Sequence, residues 1–295
     1  MDARDDRLRF PAGGEAQPPS APGIGRRLRL GPHLIELAGG RALVTGGAGT
    51  LGKALARVLL DRGMTVLLAD RDESRLRDAV VRLGRPEGLD WRILDVADPR
   101  SWAALSEAID ADAAPIRLLV NNACPPSARR PLIEIAPAEW QSLIAAGLTG
   151  PFLGVRTFAP RMAAKGGGHI LNIASMAALG PLPDHGDFAA AKAGLLSLSE
   201  TLAIELAGSG VGVSVACPGA IGHPLGHVAA AADPPSVPGR MDPVAGMGFV
   251  IDAMLAGHFL IMTDGNGAAA ARRGEMIRTA FDHALRHGPG RADIS

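Results

Sequence analysis

Four glycines fall within seven residues at Gly46, Gly47, Gly49 and Gly52, and this is the first place in the chain where chemistry on a ligand could be arranged. Larger residues there would hold a pyrophosphate away from the backbone amides and from the end of a following helix. Gly47, Gly49 and Gly52 satisfy GxGxxG, with Thr50 and Leu51 in the variable places. Asp70 follows about twenty positions later, where an acidic residue reads ribose hydroxyls. Its charge favours NAD, because a 2′-phosphate would be repelled; Arg71, directly after it, leaves NADP open. The competing reading of Asp70 is a helix cap. Proton chemistry has its own candidates in Asp184, His185, Asp187 and His223. Histidine suits the task best among these, since its charge changes near neutral pH. Cys124 is a candidate thiol, but nothing in sequence argues for its activation, so a small packing residue is the preferred reading. The chain contains no tyrosine.

Strands and helices must position these residues. Residues 41–45 form a short apolar run that ends in the glycine turn, and 53–62 has helical spacing. Strands are expected at 65–69, 91–94, 116–120, from Gly168 onward, and at 211–216 and 258–263. Helices are expected at 72–83, 99–109 and 242–255, over a stretch from 138 to 164 broken by Gly147, Gly150 and Pro151, and ahead of Leu206. This alternation predicts α/β architecture: one Rossmann-like doubly wound domain with a seven-stranded parallel sheet and a ligand across its carboxyl ends. The domain is placed at 36–267. Residues 1–35, rich in Arg, Asp, Pro and Gly, read as a flexible arm. Residues 224–242 read as a substrate lid. Residues 268–295 form a C-terminal extension whose helix, 268–286, gathers Met276, Ile277, Ala280, Phe281, Ala284 and Leu285 on one face. That face is expected to be buried on the domain or on a neighbouring subunit.

Composition narrows the function classes. A net charge of zero and a pI near 7 give no reason to expect a nucleic-acid partner. Two cysteines are too few for a disulfide framework, and a cytoplasmic setting is expected. No apolar run reads as long enough to cross a membrane, and the N-terminus has no secretory apolar core. A small-molecule substrate is expected, and no metal.

The segment GHILNIASMAALGPLPDHGDFAAAKAGLLSLSETLAIEL closely resembles the catalytic segment of the short-chain dehydrogenase/reductase family. TGGAGTLG, Asp95-Val96, Asn121-Asn122-Ala123 and Pro218-Gly219 extend the likeness over roughly 36–287. The resemblance implies an NAD(P)-dependent oxidoreductase acting on an alcohol or ketone. It gives Ser175 to the substrate oxygen and Lys192 to the cofactor ribose. It adds Asp95, Val96, Asn122, Ala123, Pro218, Gly219 and Ile221 to the cofactor contacts. It also implies a dimer or tetramer built on the helices around 140–162 and 188–207. Three departures stand out. Phe188 occupies the tyrosine position, thirteen residues after Ser175 and four before Lys192; Gly147 occupies the relay asparagine position; and Cys124 replaces a glycine. A phenyl ring has no proton to give, so three readings stay open. One is an oxidoreductase with another proton donor, His185 being the best candidate. Another is a catalytically dead nucleotide-binding subunit that pairs with an active homologue. The third is a non-redox isomerase, dehydratase or cyclase on the same scaffold.

Overall fold

The computed structural model describes residues 38–110, 114–127, 129–222, 240–263 and 268–287. The expected arm at 1–35, His223 and most of the expected lid lie outside these residues.

Seven parallel strands form one sheet in the order β3-β2-β1-β4-β5-β6-β7. They are β1 (Arg41–Thr45), β2 (Thr65–Asp70), β3 (Leu89–Ile93), β4 (Ile116–Asn121), β5 (Gly168–Ile173), β6 (Val211–Cys217) and β7 (Leu260–Met262). Strand order reverses between β1 and β4, so the crevice for a ligand opens there, beyond the carboxyl ends. Helices cover both faces: α1 (Thr50–Asp61), α2 (Glu73–Arg82) and α7 (Pro243–Leu255) on one, and α3 (Pro99–Asp110), α5 (Gly150–Ala164) and α6 (Gly186–Glu205) on the other. Successive strand residues point to opposite faces, so each central strand feeds two cores. Ala42, Val44, Val66 and Leu68 pack with Leu55, Leu59 and Val250. Leu43, Leu67 and Leu119 pack with Trp102, Phe158 and Met162.

The stretch expected to break at Gly147, Gly150 and Pro151 is instead continuous. α4 (Pro137–Ile144) passes through a π-helical turn, Ala145–Thr149, into α5. Pro151 comes just after the π-helical turn, where the regular i→i−4 ladder is already interrupted, so its missing N–H is accommodated inside the continuous helix. Continuity overturns one expectation. The helix Pro137–Ala164 spans 28 residues and is long and apolar enough to cross a membrane by length and composition. In this fold its apolar residues Val155, Phe158 and Met162 are core.

The last helix, α8 (Ala268–His287), is tied to the domain by Arg273, whose Nη1 donates to the Ala178 carbonyl at 2.9 Å. Met276 and Ile277 are 66% and 59% exposed, so this chain by itself leaves that part of the apolar face unburied. Amphipathic spacing fixed a face here without supplying a surface to cover it.

Candidate active site

The C-terminal ends of β1, β2, β4, β5 and β6 border one cavity of about 930 Å³. At its β1 end the glycine turn is shaped by packing against itself and its neighbours. Gly46 has φ +63°, and a Cβ there would stand 2.8 Å from Ala123 Cα. A Cβ on Gly47 would meet Leu68 Cβ at 2.7 Å, and one on Gly52 would meet the Gly46 carbonyl oxygen at 2.3 Å. Gly46, Gly49, Thr50 and Leu51 line the cavity, whereas Gly47 and Gly52 do not. These last two are glycines because the turn folds tightly onto β2 and onto itself. α1 begins at Gly49 with no side-chain cap, so its first amides lack intrahelical partners by position and can meet an anion.

Asp70 stands at the end of β2 and lines the cavity. Its carboxylate accepts from the Ala48 amide at 3.3 Å and the Asp72 amide at 3.4 Å, which fixes it against the glycine turn. Asp72, rather than Asp70, caps α2, accepting from the Arg75 amide. Across the crevice, Thr45 Oγ1 donates to the Val120 carbonyl and accepts from the Asn122 and Ala123 amides. Asn122 Nδ2 donates to the Thr45 carbonyl at 2.8 Å. β1 and β4 are therefore laced together where the floor must be rigid. Arg71, Asp95, Val96, Asn122, Ala123, Pro218, Gly219 and Ile221 all line the cavity. A turn in which Gly46, Gly47 and Gly52 admit no Cβ, first-turn helix amides free by position and a fixed carboxylate fit a dinucleotide.

The catalytic-position residues meet at the β5 end. Ser175 leaves β5 in extended conformation, its Oγ accepting from the Ala177 amide at 3.2 Å. Lys192 is 3% exposed; its Nζ donates to the Ile173 carbonyl at 2.7 Å and lies 5.5 Å from the centroid of the Phe188 ring. One helical turn separates the two, so they share a face of α6. Ser175, Phe188, Lys192 and His185 all line the cavity. His185 caps α6 by position but not through its side chain. It is 7% exposed, and its Nδ1 has no hydrogen-bond partner. Asp184 does not line the cavity, and Asp187 is buried, accepting from Ser127 Oγ and from the Phe188 amide, each at 2.7 Å.

Gly147 does not line the cavity; it lies in the π-helical turn behind the wall. A Cβ there would come 3.2 Å from Cys124 Sγ and 3.4 Å from Ala191 Cβ. Two of the three departures from the family pattern, Gly147 and Cys124, are thus neighbours, the thiol lying against the place where a side chain at 147 would begin. Burial pushes the Cys124 thiol up, and it raises that of Cys217 to about 11. Cys124 is thus a packing group rather than an activated nucleophile.

Sequence reasoning missed the Ser127–Asp187 bond, which joins residues sixty apart, and the arginines Arg75, Arg129 and Arg240 on the cavity wall. Only the position of Ser127 and Arg129, just beyond the Asn121-Asn122 motif, could have pointed to them.

Residues 41–232 match the family model described as short chain dehydrogenase. D-threitol dehydrogenase of Mycolicibacterium smegmatis is 34% identical over 66% of this chain and 75% of that one. Cis-4-hydroxycyclohexanecarboxylate dehydrogenase of Sinomonas cyclohexanicum is 35% identical over 62% of this chain and 74% of its own. A Burkholderia phymatum short chain dehydrogenase/reductase solved with NAD superposes with a TM-score of 0.74 at 28% identity, covering 83% of this chain and 96% of that one. A metagenomic short-chain oxidoreductase solved with NADP gives a TM-score of 0.64 at 31% identity, over 77% and 96% of the two chains. Fold, motif order and these matches agree, and the chain belongs to the short-chain dehydrogenase/reductase family of NAD(P)-binding oxidoreductases.

Proposed function

We propose that the chain transfers hydride between a nicotinamide dinucleotide and an alcohol or ketone, with His185 moving the proton that a phenol would otherwise move. The relatives named as dehydrogenases of D-threitol and of cis-4-hydroxycyclohexanecarboxylate support that substrate class. The observation that carries the proton assignment is the His185 imidazole, buried on the same wall as Ser175 and Lys192 with Nδ1 unpartnered. A buried ring nitrogen without a partner is costly; Nδ1 is sealed from solvent, so a substrate oxygen satisfies it once the ring turns toward the cavity that the residue lines. When bound, the nicotinamide accepts or returns the hydride of the carbinol carbon. Ser175 donates to the substrate oxygen, Lys192 holds the ribose and keeps positive charge at the site, and His185 takes the hydroxyl proton in oxidation or gives it in reduction. Phe188 shields this end of the cavity and packs against the Lys192 ammonium.

The fixed carboxylate of Asp70 supports NAD over NADP, with Arg71 and Arg75 nearby as the counterweight. Two free thiols support a cytoplasmic setting. A homo-oligomer through α5 and α6 is supported by a hollow of about 440 Å³ among Leu148, Phe152, Gly194 and Leu198, with Phe152 44% exposed. Steady-state oxidation of NADH with a ketone panel tests the central claim. His185→Gln should lower kcat by about 10²–10⁴, the worth of general acid catalysis, and remove a limb of the pH–rate profile while NADH still binds. A variant within about threefold of wild type would end the assignment to His185. Phe188 itself favours a second reading, a nucleotide-binding subunit without turnover; NADH binding with no consumption on any ketone would choose it.

A further inference from the structure

Charge is unevenly distributed along the cavity. Among the described residues the carboxylates that line it, Asp70 and Asp95, lie at or just beyond the ends of β2 and β3, together with Arg71 and Arg75. In the half built from the loops after β4, β5 and β6, the lining charges are Lys192, Arg129 and Arg240. Among the described residues no carboxylate lines that half. Lys192 is engaged by the Ile173 carbonyl and the Phe188 ring. Arg240 directs Nε to the Gly222 carbonyl at 2.7 Å and Nη2 to the Ile221 carbonyl at 3.3 Å.

Arg129 differs from both. Its neighbours are pinned: Ser127 Oγ donates to Asp187, the Arg130 amide donates to the Asp184 carbonyl at 3.0 Å, and Arg130 Nη1 lies 3.3 Å from Glu139. Its backbone is therefore held against the 184–187 segment, which carries His185. Its own side chain is exposed, and no hydrogen bond or ion pair to a described residue holds the guanidinium. Pro125, Pro126, Pro181 and Leu182 supply apolar wall in the same half. A planar guanidinium fork matches a carboxylate with two parallel hydrogen bonds. A cleft half whose described lining charges are all positive also concentrates anions.

We infer that Arg129 is a specificity residue for an ionised substrate, and that the site takes a hydroxy or keto compound carrying a carboxylate on an apolar body. The carboxylate meets Arg129 while the reacting oxygen lies at Ser175 and His185. The inference rests on the hydride-transfer reading for the location of the reacting carbon.

The experiment compares a keto acid with its primary amide on the same carbon skeleton. It reads kcat/KM with NADH, and in parallel calorimetric binding of the matched hydroxy acid and hydroxy amide to NADH-loaded protein. Wild type should favour the acid by roughly 10- to 100-fold, the range of charge-assisted hydrogen bonds. Arg129→Ala should bring that ratio to about one, and Arg129→Lys should restore part of it. A wild type indifferent to the carboxylate, or an Arg129→Ala variant that keeps the preference, overturns the inference. So does a loss of about tenfold or more in NADH affinity in Arg129→Ala, which would assign the guanidinium to the cofactor phosphates. If wild type reduces neither ketone yet binds the acid over the amide through Arg129, the specificity assignment stands and the hydride-transfer reading falls.

Discussion

Phe188→Tyr adds one hydroxyl to a ring that already lines the cavity and already lies 5.5 Å from the Lys192 ammonium. That charge would favour the phenolate, and Ser175 would give the substrate oxygen a second contact. The gain available from a positioned acid is about 10²–10⁴ in rate, or about 3–5 kcal/mol of barrier, and it should show in full in a His185→Gln background, where the wild-type proton donor is gone. Restoring the relay asparagine is a separate matter, because the space is taken. A Cβ at 147 would sit 3.2 Å from Cys124 Sγ, and the amide beyond it would need the room the thiol occupies. Gly147→Asn alone should therefore destabilise by about 1–3 kcal/mol through overpacking, and Cys124→Gly should relieve most of that cost. The three positions form a cycle: 124 and 147 couple in stability, and the pair couples to 188 in turnover only once the tyrosine is present. NADH oxidation over a ketone panel and thermal melts of all eight combinations read both couplings. The reasoning fails if Gly147→Asn is as stable with Cys124 as with a glycine there. It also fails if Phe188→Tyr in the His185→Gln background binds NADH, stays folded and shows no gain on any ketone.

The glycine turn gives a graded prediction. Gly52→Ala, whose Cβ would stand 2.3 Å from the Gly46 carbonyl oxygen, should abolish NADH binding and lower Tm, whereas Gly49→Ala, at 3.2 Å from the same atom, should retain measurable binding by calorimetry. The cysteines give a pH prediction: a Cys217 thiol raised to about 11 exposes only about one part in a thousand as thiolate at pH 8, so iodoacetamide should label neither cysteine at that pH without denaturant, with Cys124 raised in the same direction. Labelling should quicken as pH rises, and rapid modification of native protein at pH 7 would contradict the burial argument.

The order of strands and helices was legible because hydrophobic period and glycine turns are local signals; β1, α3 and β4 begin where spacing alone places them. The places of Ser175, Phe188 and Lys192 were legible through the family resemblance, whose fixed spacing falls within one strand–loop–helix segment. Contacts between distant segments were not. Cys124 and Gly147 each read as a separate departure from a pattern, and only folding brings the thiol against the glycine. Ser127 and Asp187 carry no signal of their bond because any serine and aspartate could be surface residues. Gly147, Gly150 and Pro151 read as a break, yet a packed helix can absorb them when its buried face is held by Val155, Phe158 and Met162. For α8, spacing defines which residues share a face, while burial depends on what stands opposite.

The π-helical turn at Ala145–Thr149 also sets a phase. An α-helix advances about 100° per residue, so without interruption Leu143 would point about 120° away from Val155 and about 100° away from Met162. One residue absorbed as a bulge subtracts about 100° from each of these angles, leaving Leu143 within about 20° of Val155 and in line with Met162. Leu143 can then pack on Phe188 and Ala191 while Val155 and Met162 pack on the sheet, all from one side of a single rod. The turn acts as a rotational spacer between the part of the helix that supports the site and the part that supports the sheet. Deleting any one residue from 145–149 would barely shorten the rod, but it would swing Leu143 off the Phe188 cluster by more than a quarter of a revolution.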